Sequence, residues 1–359
     1  MAMGSQSESL TTDADTRSPT RPCSEVSNPT LADLPICLLE IIMSLLVLKD
    51  NICASAACKS WLEAAKSVRV AKKNPWLMCF PNRGNLYEFH NPFQWKLYTM
   101  NLPELAISTV CYAREGWLLA HRSISKEIFF FNPFSRELIS LPKFEPRFLK
   151  FAFSSPPTSD KVVVLALYFP REDIVIISTC HPGATEWITG NFLTGSKPDN
   201  DLVYVNNRFY CFNTRGGTLY SFLPSPRIWH RHTVECPYPQ PYLVNKTVSL
   251  AEKKGALFLI TCSNEKTMMY KLVSLQWKEM RSPAIDGLTI FVSSCNSELR
   301  TNLPWLKNNV YFSRFGRGPK HCLSYSFDES RYSQIMEWLE FCPRGSLWID
   351  PPENVLVDL

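Results

Sequence analysis

Few residues in this sequence are spaced so that they could carry out chemistry. The best candidates for metal ligands are His230 and His232, with Cys236 shortly after them. On a strand the two imidazoles would share a face, but a tetrahedral zinc site needs a fourth ligand, and none follows at a suitable spacing. We therefore favour a solvated loop beside Trp229 over a metal centre.

The cysteines give no support for catalysis either. The chain contains 13 of them without a single C-x-x-C pair, a distribution that favours reduced thiols over a secreted disulfide framework. Cys53 and Cys58 are expected to be small buried side chains. Because the sequence also lacks a glycine-rich phosphate loop and a nucleophile elbow, we predict no catalytic residue, no metal and no cofactor, and we do not expect an enzyme.

Charge and hydropathy argue against two classes of partner. The 38 basic and 33 acidic side chains leave a net charge of only +5, without a dense basic block. Nucleic acid and anionic membrane are therefore not expected as main partners. The longest apolar run, residues 36–48, is too short to cross a bilayer, and the first ten residues lack a signal-peptide pattern. We expect a protein of the cytoplasm, the nucleus or both.

Composition divides the chain into three regions that must position any functional residues. Residues 1–29 are rich in Ser, Thr, Asp and Pro, which predicts a disordered tail. Residues 30–70 have a helical pattern. From residue 71 to residue 359, short aromatic and β-branched runs alternate with Pro, Asn and Gly turns, which is typical of an all-β domain with many short strands.

The first helix of the middle region is apolar on nearly every side. Pro35 suits its first turn, and the helix continues to Leu46. Its apolar residues form two strips, one of Leu38, Ile41, Ile42 and Leu45 and the other of Leu39, Met43 and Leu46. Two short helices are predicted at 49–56 and 57–68, and so small a unit cannot cover the first helix alone. Either a partner or the β-domain of the same chain must cover it, and periodicity does not decide which.

A family resemblance favours a partner. Residues 31–70 resemble the F-box, through Leu34-Pro35, Leu38-Leu39, Ile42, Leu45, Leu48 and the closing Cys58-Lys59-Ser60-Trp61. The chain departs from that pattern at Ala57, where Val is usual, at Asn51, where Leu is common, and at Ile36-Cys37, which replace a polar pair. The resemblance implies docking onto a Skp-type adaptor and, through it, a cullin scaffold. By position, the adaptor-binding residues would be Leu34, Pro35, Leu38, Leu39, Ile42, Leu45 and Trp61.

The β-domain contains internal repeats. Tyr87–Phe93 aligns with Ile128–Phe134, and the Asn-Pro pair in each segment favours a type I turn between strands. Weaker copies begin near residues 207, 255 and 308. A period of about 40–50 residues indicates propeller blades, roughly six of them between residues 71 and 359. A β-sandwich, or two of them, is the alternative. The 13 glycines are few for kelch blades, so the sequence leaves the number of blades open.

The same region resembles the C-terminal domain of plant F-box/kelch-related proteins. The resemblance is carried by Phe131–Arg136, Leu141-Pro142, Leu202–Tyr204, Phe209-Tyr210, Gly217–Tyr220, Trp277–Glu279 and Leu303–Phe312. Asn207 and Asn309 stand where that group has Gly, and Asn also tolerates the left-handed backbone. The expected fold is a small all-α F-box of three helices, followed by an all-β, β-propeller-like domain that is kelch-related.

The resemblance implies a substrate-recognition subunit of an SCF-type ubiquitin ligase, with the β-domain binding an unknown client protein. An adaptor-binding protein without a role in degradation is the first alternative, and a propeller-fold enzyme fits the sequence less well. One segment that could contact a client is the loop Ser313–Lys320, where Arg314 and Arg317 flank Phe315. A solvated hairpin tip is the favoured interpretation of that loop.

Overall fold

The computed structural model describes residues 34–351 with internal gaps. These gaps are residues 47, 72–73, 82, 92–95, 145–149, 199–201, 215, 236–246, 264, 294, 302, 304, 314–321 and 336–344. The predicted tail of residues 1–29 lies outside the described residues, as do Cys236 and the candidate client loop from Arg314 to Lys320.

Three helices come first, as the sequence predicts. They are α1 (Ile36–Leu45), α2 (Leu48–Ser55) and α3 (Lys59–Ala71). The strip of α1 that contains Leu39 and Met43 packs on α3 and is called the inner strip. Its two buried side chains meet Ala64, Ala65 and Val68 in one cluster. Because alanine side chains are small, the two helices can pack closely, so this cluster forms a core made of helical residues.

The strands of the β-domain follow in chain order, and most groups of four form a blade. Blade 1 begins with β1 (Trp76–Cys79), β2 (Leu86–Asn91) and β3 (Lys96–Asn101). Blade 2 contains β4 (Thr109–Arg114), β5 (Trp117–Arg122), β6 (Glu127–Phe131) and β7 (Leu138–Leu141). Blade 3 contains β8 (Lys150–Phe153), β9 (Val164–Arg171), β10 (Ile174–Cys180) and β11 (Ile188–Leu193).

The second half of the domain repeats this plan with one addition. Blade 4 contains β12 (Val203–Val205), β13 (Arg208–Asn213), β14 (Thr218–Leu223) and β15 (Ile228–Thr233). Blade 5 contains β16 (Thr247–Lys253), β17 (Ala256–Cys262), β18 (Thr267–Val273) and β19 (Gln276–Glu279). Blade 6 contains β20 (Thr289–Val292), β21 (Ser297–Arg300), β22 (Asn309–Phe312), β23 (Leu323–Ser326) and β24 (Arg331–Gln334), and β25 (Ser346–Ile349) comes last.

The six blades confirm the propeller-like fold and exclude the sandwich alternative. Blades 2 to 5 are simple antiparallel meanders in sequence order. Blade 6 differs because the hairpin β20–β21 precedes its outer strands. β20 pairs parallel with β22, and β21 pairs parallel with β16 through Glu298 and Glu252, so blades 5 and 6 share one sheet.

The two ends of the β-domain close the ring. β25 pairs antiparallel with β1, from Trp76 opposite Ile349 to Cys79 opposite Ser346, and so completes blade 1. Trp348 Nε1 also donates a hydrogen bond to the Tyr311 carbonyl in blade 6, at 3.2 Å. The last described strand therefore joins the first blade to the sixth.

The internal repeats occupy equivalent positions in the blades. β2 and β6, which carry the two aligned segments, are each the third strand of their blade. After β6, Asn132 Oδ1 accepts hydrogen bonds from the backbone N–H groups of Phe134 and Ser135, at 3.0 and 3.1 Å, which fixes the turn. Asn207 has the expected left-handed backbone, but the second such residue is Asn308, because Asn309 already belongs to β22.

The phenylalanine run of β6 shows why these strands are apolar on both faces. Phe129 and Phe131 pack into the core between blades 1 and 2, whereas Phe130 points to the opposite face and meets Phe153 of blade 3 with ring centroids 5.0 Å apart. Successive side chains of a strand alternate between its faces, and in a propeller each blade is covered by its neighbours. An uninterrupted apolar run is the result.

Candidate adaptor-binding helix and channel pocket

The outer strip of α1 is an exposed apolar surface. Leu38, Ile41 and Leu45 are 45%, 57% and 80% exposed, and Ile36 beside them is also exposed. The inner strip is buried, with Leu39 and Met43 in the helical core. Large apolar side chains gathered on one helix face mark an interaction surface, because isolated proteins rarely leave such a patch in water.

The predicted adaptor-binding residues divide between this surface and its support. Pro35, Leu38 and Leu45 are exposed, Ile42 is half-buried, and Leu34 and Trp61 are half-buried against the helical core. Leu39 is fully buried and can only support the surface from below. Ile36 and Ile41 were not among the predicted site residues, although Ile41 belongs to the strip that the periodicity identified. The docking role of the whole set stays a prediction.

Two polar contacts hold α1 in place. Ser67 of α3 donates a hydrogen bond to Glu40 Oε1 at 2.5 Å. The buried Asn51 of α2 donates from Nδ2 to the Met43 carbonyl at 3.0 Å. The carbonyls in the last turn of a helix have no partner within the helix, and Asn51 supplies one. The departure from the F-box pattern at this position thus has a structural role.

The expectation that Cys53 and Cys58 are buried is wrong. Cys53 is exposed on α2, and Cys58 is half-buried at the start of α3, where its Sγ lies 3.1 Å from Ser60 Oγ. Three short helices have too little interior to enclose every small apolar side chain, so these thiols stay near the surface.

The histidines lie in a strand and not in the loop that the sequence favoured. His230 and His232 both belong to β15, with their ring centroids 6.0 Å apart. His232 Nε2 lies 2.9 Å from Ser221 Oγ, and burial, then the neighbouring His230 and Arg208, lowers the pKa of His232. Within the described ranges, no group of three or more His, Cys, Asp or Glu side chains is arranged to hold a metal ion.

The centre of the propeller contains a polar pocket of about 210 Å³ that the sequence did not reveal. Its lining comes from strands of different blades, including Arg114 of β4, Tyr204 of β12, Glu252 of β16 and Arg300 of β21, with Asp350 just after β25. A second cavity of about 540 Å³ adjoins it and shares Asp350 and Glu115. In the sequence these are single charged or aromatic residues near strand ends, and nothing links them to one another.

Ion pairs organise this pocket. Arg300 bonds to Glu298 at 2.6 Å and to Asp350 at 2.5 Å. Burial opposes the charge of Arg300, but these two carboxylates outweigh it and raise the pKa of the guanidinium. Arg114 Nε pairs with Glu115 at 3.1 Å. The pocket therefore offers fixed charges of both signs to polar groups of a ligand.

Two family models match the chain. The model of the F-box domain matches residues 31–73, and the model of the KIB1-4 beta-propeller matches residues 86–333.

Proteins of Arabidopsis thaliana are similar to this chain over most of their length. F-box protein At4g00893 is 58% identical over 92% of this chain and 89% of its own length. F-box/kelch-repeat protein At1g57790 is 37% identical, over 90% of this chain and 95% of its own length. F-box protein At3g56470 is 33% identical, over 92% and 91%.

Proposed function

Because this chain belongs to the plant F-box proteins that carry a KIB1-4 beta-propeller, we propose that it is the substrate-recognition subunit of an SCF-type ubiquitin ligase. In this role the three helices dock onto a Skp-type adaptor, which connects them to a cullin scaffold. The propeller binds a client protein, and other subunits transfer ubiquitin to it. The protein itself is a non-catalytic receptor and acts in the cytoplasm, the nucleus or both.

The exposed strip of α1 is the observation that carries this proposal. Taking a large apolar side chain from full exposure to full burial contributes about 1.5–3 kcal/mol, and the side chains of this strip are between 45% and 80% exposed before binding. Ile36, Leu38, Ile41 and Leu45 together therefore provide enough apolar surface for a stable complex. Pro35 fixes the entry of the chain into α1, since its backbone has φ near −53° at the residue before the helix.

The mechanism is one of positioning. The helical unit fixes the protein to the scaffold, and the propeller holds the client close to it. Linking two binding events in one molecule raises the local concentration of the client near the transferring subunit, without any chemical step in this chain.

The first test targets the outer strip. We expect the double variant Ile41→Ala, Leu45→Ala to lose about tenfold or more in affinity for a purified Skp-type adaptor, because two of its most exposed apolar contacts are removed. Both side chains point to solvent, so the unfolding free energy should change little. The double variant Leu34→Ala, Pro35→Ala should also abolish co-purification with the adaptor.

The matched control for this test is Ile107→Ala, Ile124→Ala. These two isoleucines are as exposed as the α1 residues but lie in turns of the β-domain. The control should bind the adaptor like the unchanged chain. Equal binding by the α1 variants and the control in a titration by calorimetry would exclude α1 as the docking surface.

A second measurement separates a degradation receptor from a protein that only binds the adaptor. Loss of a receptor should raise the abundance of its client and lengthen the half-life of that client. If clients that bind the propeller keep the same abundance and half-life after loss of the protein, the degradation role is wrong.

A further inference from the structure

We propose that β11, the outer strand of blade 3, is a docking edge at which an extended segment of the client pairs as an additional strand. This inference rests on the proposed function, because a receptor must hold a polypeptide. It adds where on the propeller that polypeptide binds and in which conformation.

The edge of β11 lacks the features with which proteins usually protect an exposed strand. Natural edge strands carry charges, prolines or bulges that prevent pairing with another chain. β11 has the sequence Ile-Thr-Gly-Asn-Phe-Leu, without a charge or a proline. Its two end residues, Ile188 and Leu193, are 58% and 82% exposed.

The outer strands of the other blades differ from β11. Four of them contain charged residues in their sequence, namely Lys96 in β3, Arg231 in β15, Lys278 and Glu279 in β19, and Arg331 in β24. β7 is uncharged but shorter, and it ends in the buried Leu141. Among the outer strands that the structure describes, β11 is therefore the one whose composition permits further pairing.

The hydrogen bonds of the strand show which backbone groups are available. Thr194, directly after β11, donates from its backbone N–H to the Asp173 carbonyl at 2.8 Å, so its backbone groups point towards β10. Backbone groups alternate in direction along a strand, and the register between β10 and β11 is unbroken. Those of Thr189, Asn191 and Leu193 therefore point away from the blade, and within the described residues they form no backbone hydrogen bond.

One face of β11 packs towards blade 4, and the other face is exposed. Phe192 packs towards blade 4, with its ring centroid 5.8 Å from that of Phe222. On the other face, Leu193 and Asn191 lie opposite Ile174 and Ile176 of β10, which are only half-buried. An added strand would lie beside β11, so its side chains on this face would pack against Leu193 while its backbone pairs with the edge.

This arrangement defines the chemistry of the occupant. Backbone donors and acceptors at every second residue are matched by an extended main chain and not by a helix or a small molecule. On the face towards blade 4, the Arg227 guanidinium lies against Gly190. The other face of β11 carries Thr189, Asn191 and the exposed Leu193 and no charged residue of the strand. That face favours a client segment with uncharged β-branched or aromatic residues at alternate positions. Because the proposed function requires a bound client polypeptide, we assign this edge to such a segment.

A library of random peptides displayed on phage, selected against the full chain, provides the probe. The expected peptides carry alternating β-branched or aromatic residues, and their binding slows amide hydrogen exchange at Thr189, Asn191 and Leu193. The variant Asn191→Pro removes an outward N–H and leaves the bonds to β10 intact, since an edge strand tolerates proline at such a position. It should weaken binding of the selected peptides about tenfold or more.

The matched control is Thr233→Pro in β15. Val234 donates from its backbone N–H to the Gly217 carbonyl, so the N–H of Thr233 points away from its blade in the same way. A second pair compares Leu193→Lys with Ile107→Lys, because both side chains are 82% exposed. The affinity for the selected peptides should fall for the β11 variant of each pair and stay unchanged for the control variant.

Several results would contradict the proposal. Selected peptides that bind Asn191→Pro like the unchanged chain, or a selection that yields no peptide protecting β11, would overturn it. A dimer that dissociates in Asn191→Pro would assign the edge to a second copy. Adaptor binding by Asn191→Pro should be normal in every case, so failure of the ligase proposal would appear separately, as a chain that does not bind the adaptor.

Discussion

At the residue scale, Arg300 shows how the propeller tolerates charge near its centre. Its guanidinium bonds to Glu298 and Asp350, and its charged carbon lies 5.9 Å from the centre of the Phe291 ring. The side chains of this triad are between 18% and 29% exposed. Removing the cation would leave two carboxylates close together and only partly solvated, which is costly.

We therefore predict that Arg300→Gln lowers the free energy of unfolding by about 3 kcal/mol, measured by denaturant unfolding of the full chain. The control is Arg331→Gln, which breaks an ion pair with Glu329 on the surface. That variant should cost about 0.5 kcal/mol or less. Adding Glu298→Gln and Asp350→Asn to Arg300→Gln should restore part of the loss, and an absence of restoration would show that charge is not the cause.

At the element scale, α1 has one strip buried in the helical core and one strip exposed to solvent. The packing of its inner strip on α3 fixes how the outer strip is presented, and Asn51 adds a hydrogen bond from α2 to the end of α1. This contact is relevant to the proposed docking role, because a helix that frays at its C-terminal end cannot hold Leu45 in a fixed position.

We predict that Asn51→Ala leaves the Met43 carbonyl buried without its partner and costs about 1–2 kcal/mol of local stability. In hydrogen exchange on the full chain, the amides of α1 should exchange about tenfold faster. The amides of the blades should not change. Glu63→Ala, at an exposed position of α3, is the control and should leave exchange in α1 unaltered.

At the scale of the whole molecule, the ring depends on pairing between residues far apart in the chain. β25 supplies the strand that β1 pairs with on its inner side, and Leu347 and Ile349 belong to the buried cluster shared by blades 1 and 2. Without β25, blade 1 would lose a strand and the contact with blade 6 through Trp348.

We predict that a chain ending at Gly345 does not unfold cooperatively, because an open ring exposes apolar surface of blades 1 and 6. A chain ending at Pro351 retains every described strand and should unfold like the full chain. Calorimetry of both truncations tests this, and a cooperative transition of normal enthalpy in the shorter chain would show that β25 is dispensable.

The sequence by itself determined the local features of this protein. The period of α1 predicted its two strips, and the buried and exposed strips of the structure match them. The repeated Asn-Pro segments predicted equivalent strands, and they are the third strands of blades 1 and 2. These features were predictable because a period records which face of an element is buried, and a turn records its own backbone conformation.

Only the tertiary structure decided what lies opposite each face. It gathered Arg114, Glu252 and Arg300 into one pocket, placed His230 in a strand and gave Asn51 its carbonyl partner. Periodicity carries no information about pairs of residues that are distant in the chain. The pocket and the pairing of β25 with β1 arise only when the blades close into a ring, and Asn51 reaches the Met43 carbonyl only when α2 packs beside α1.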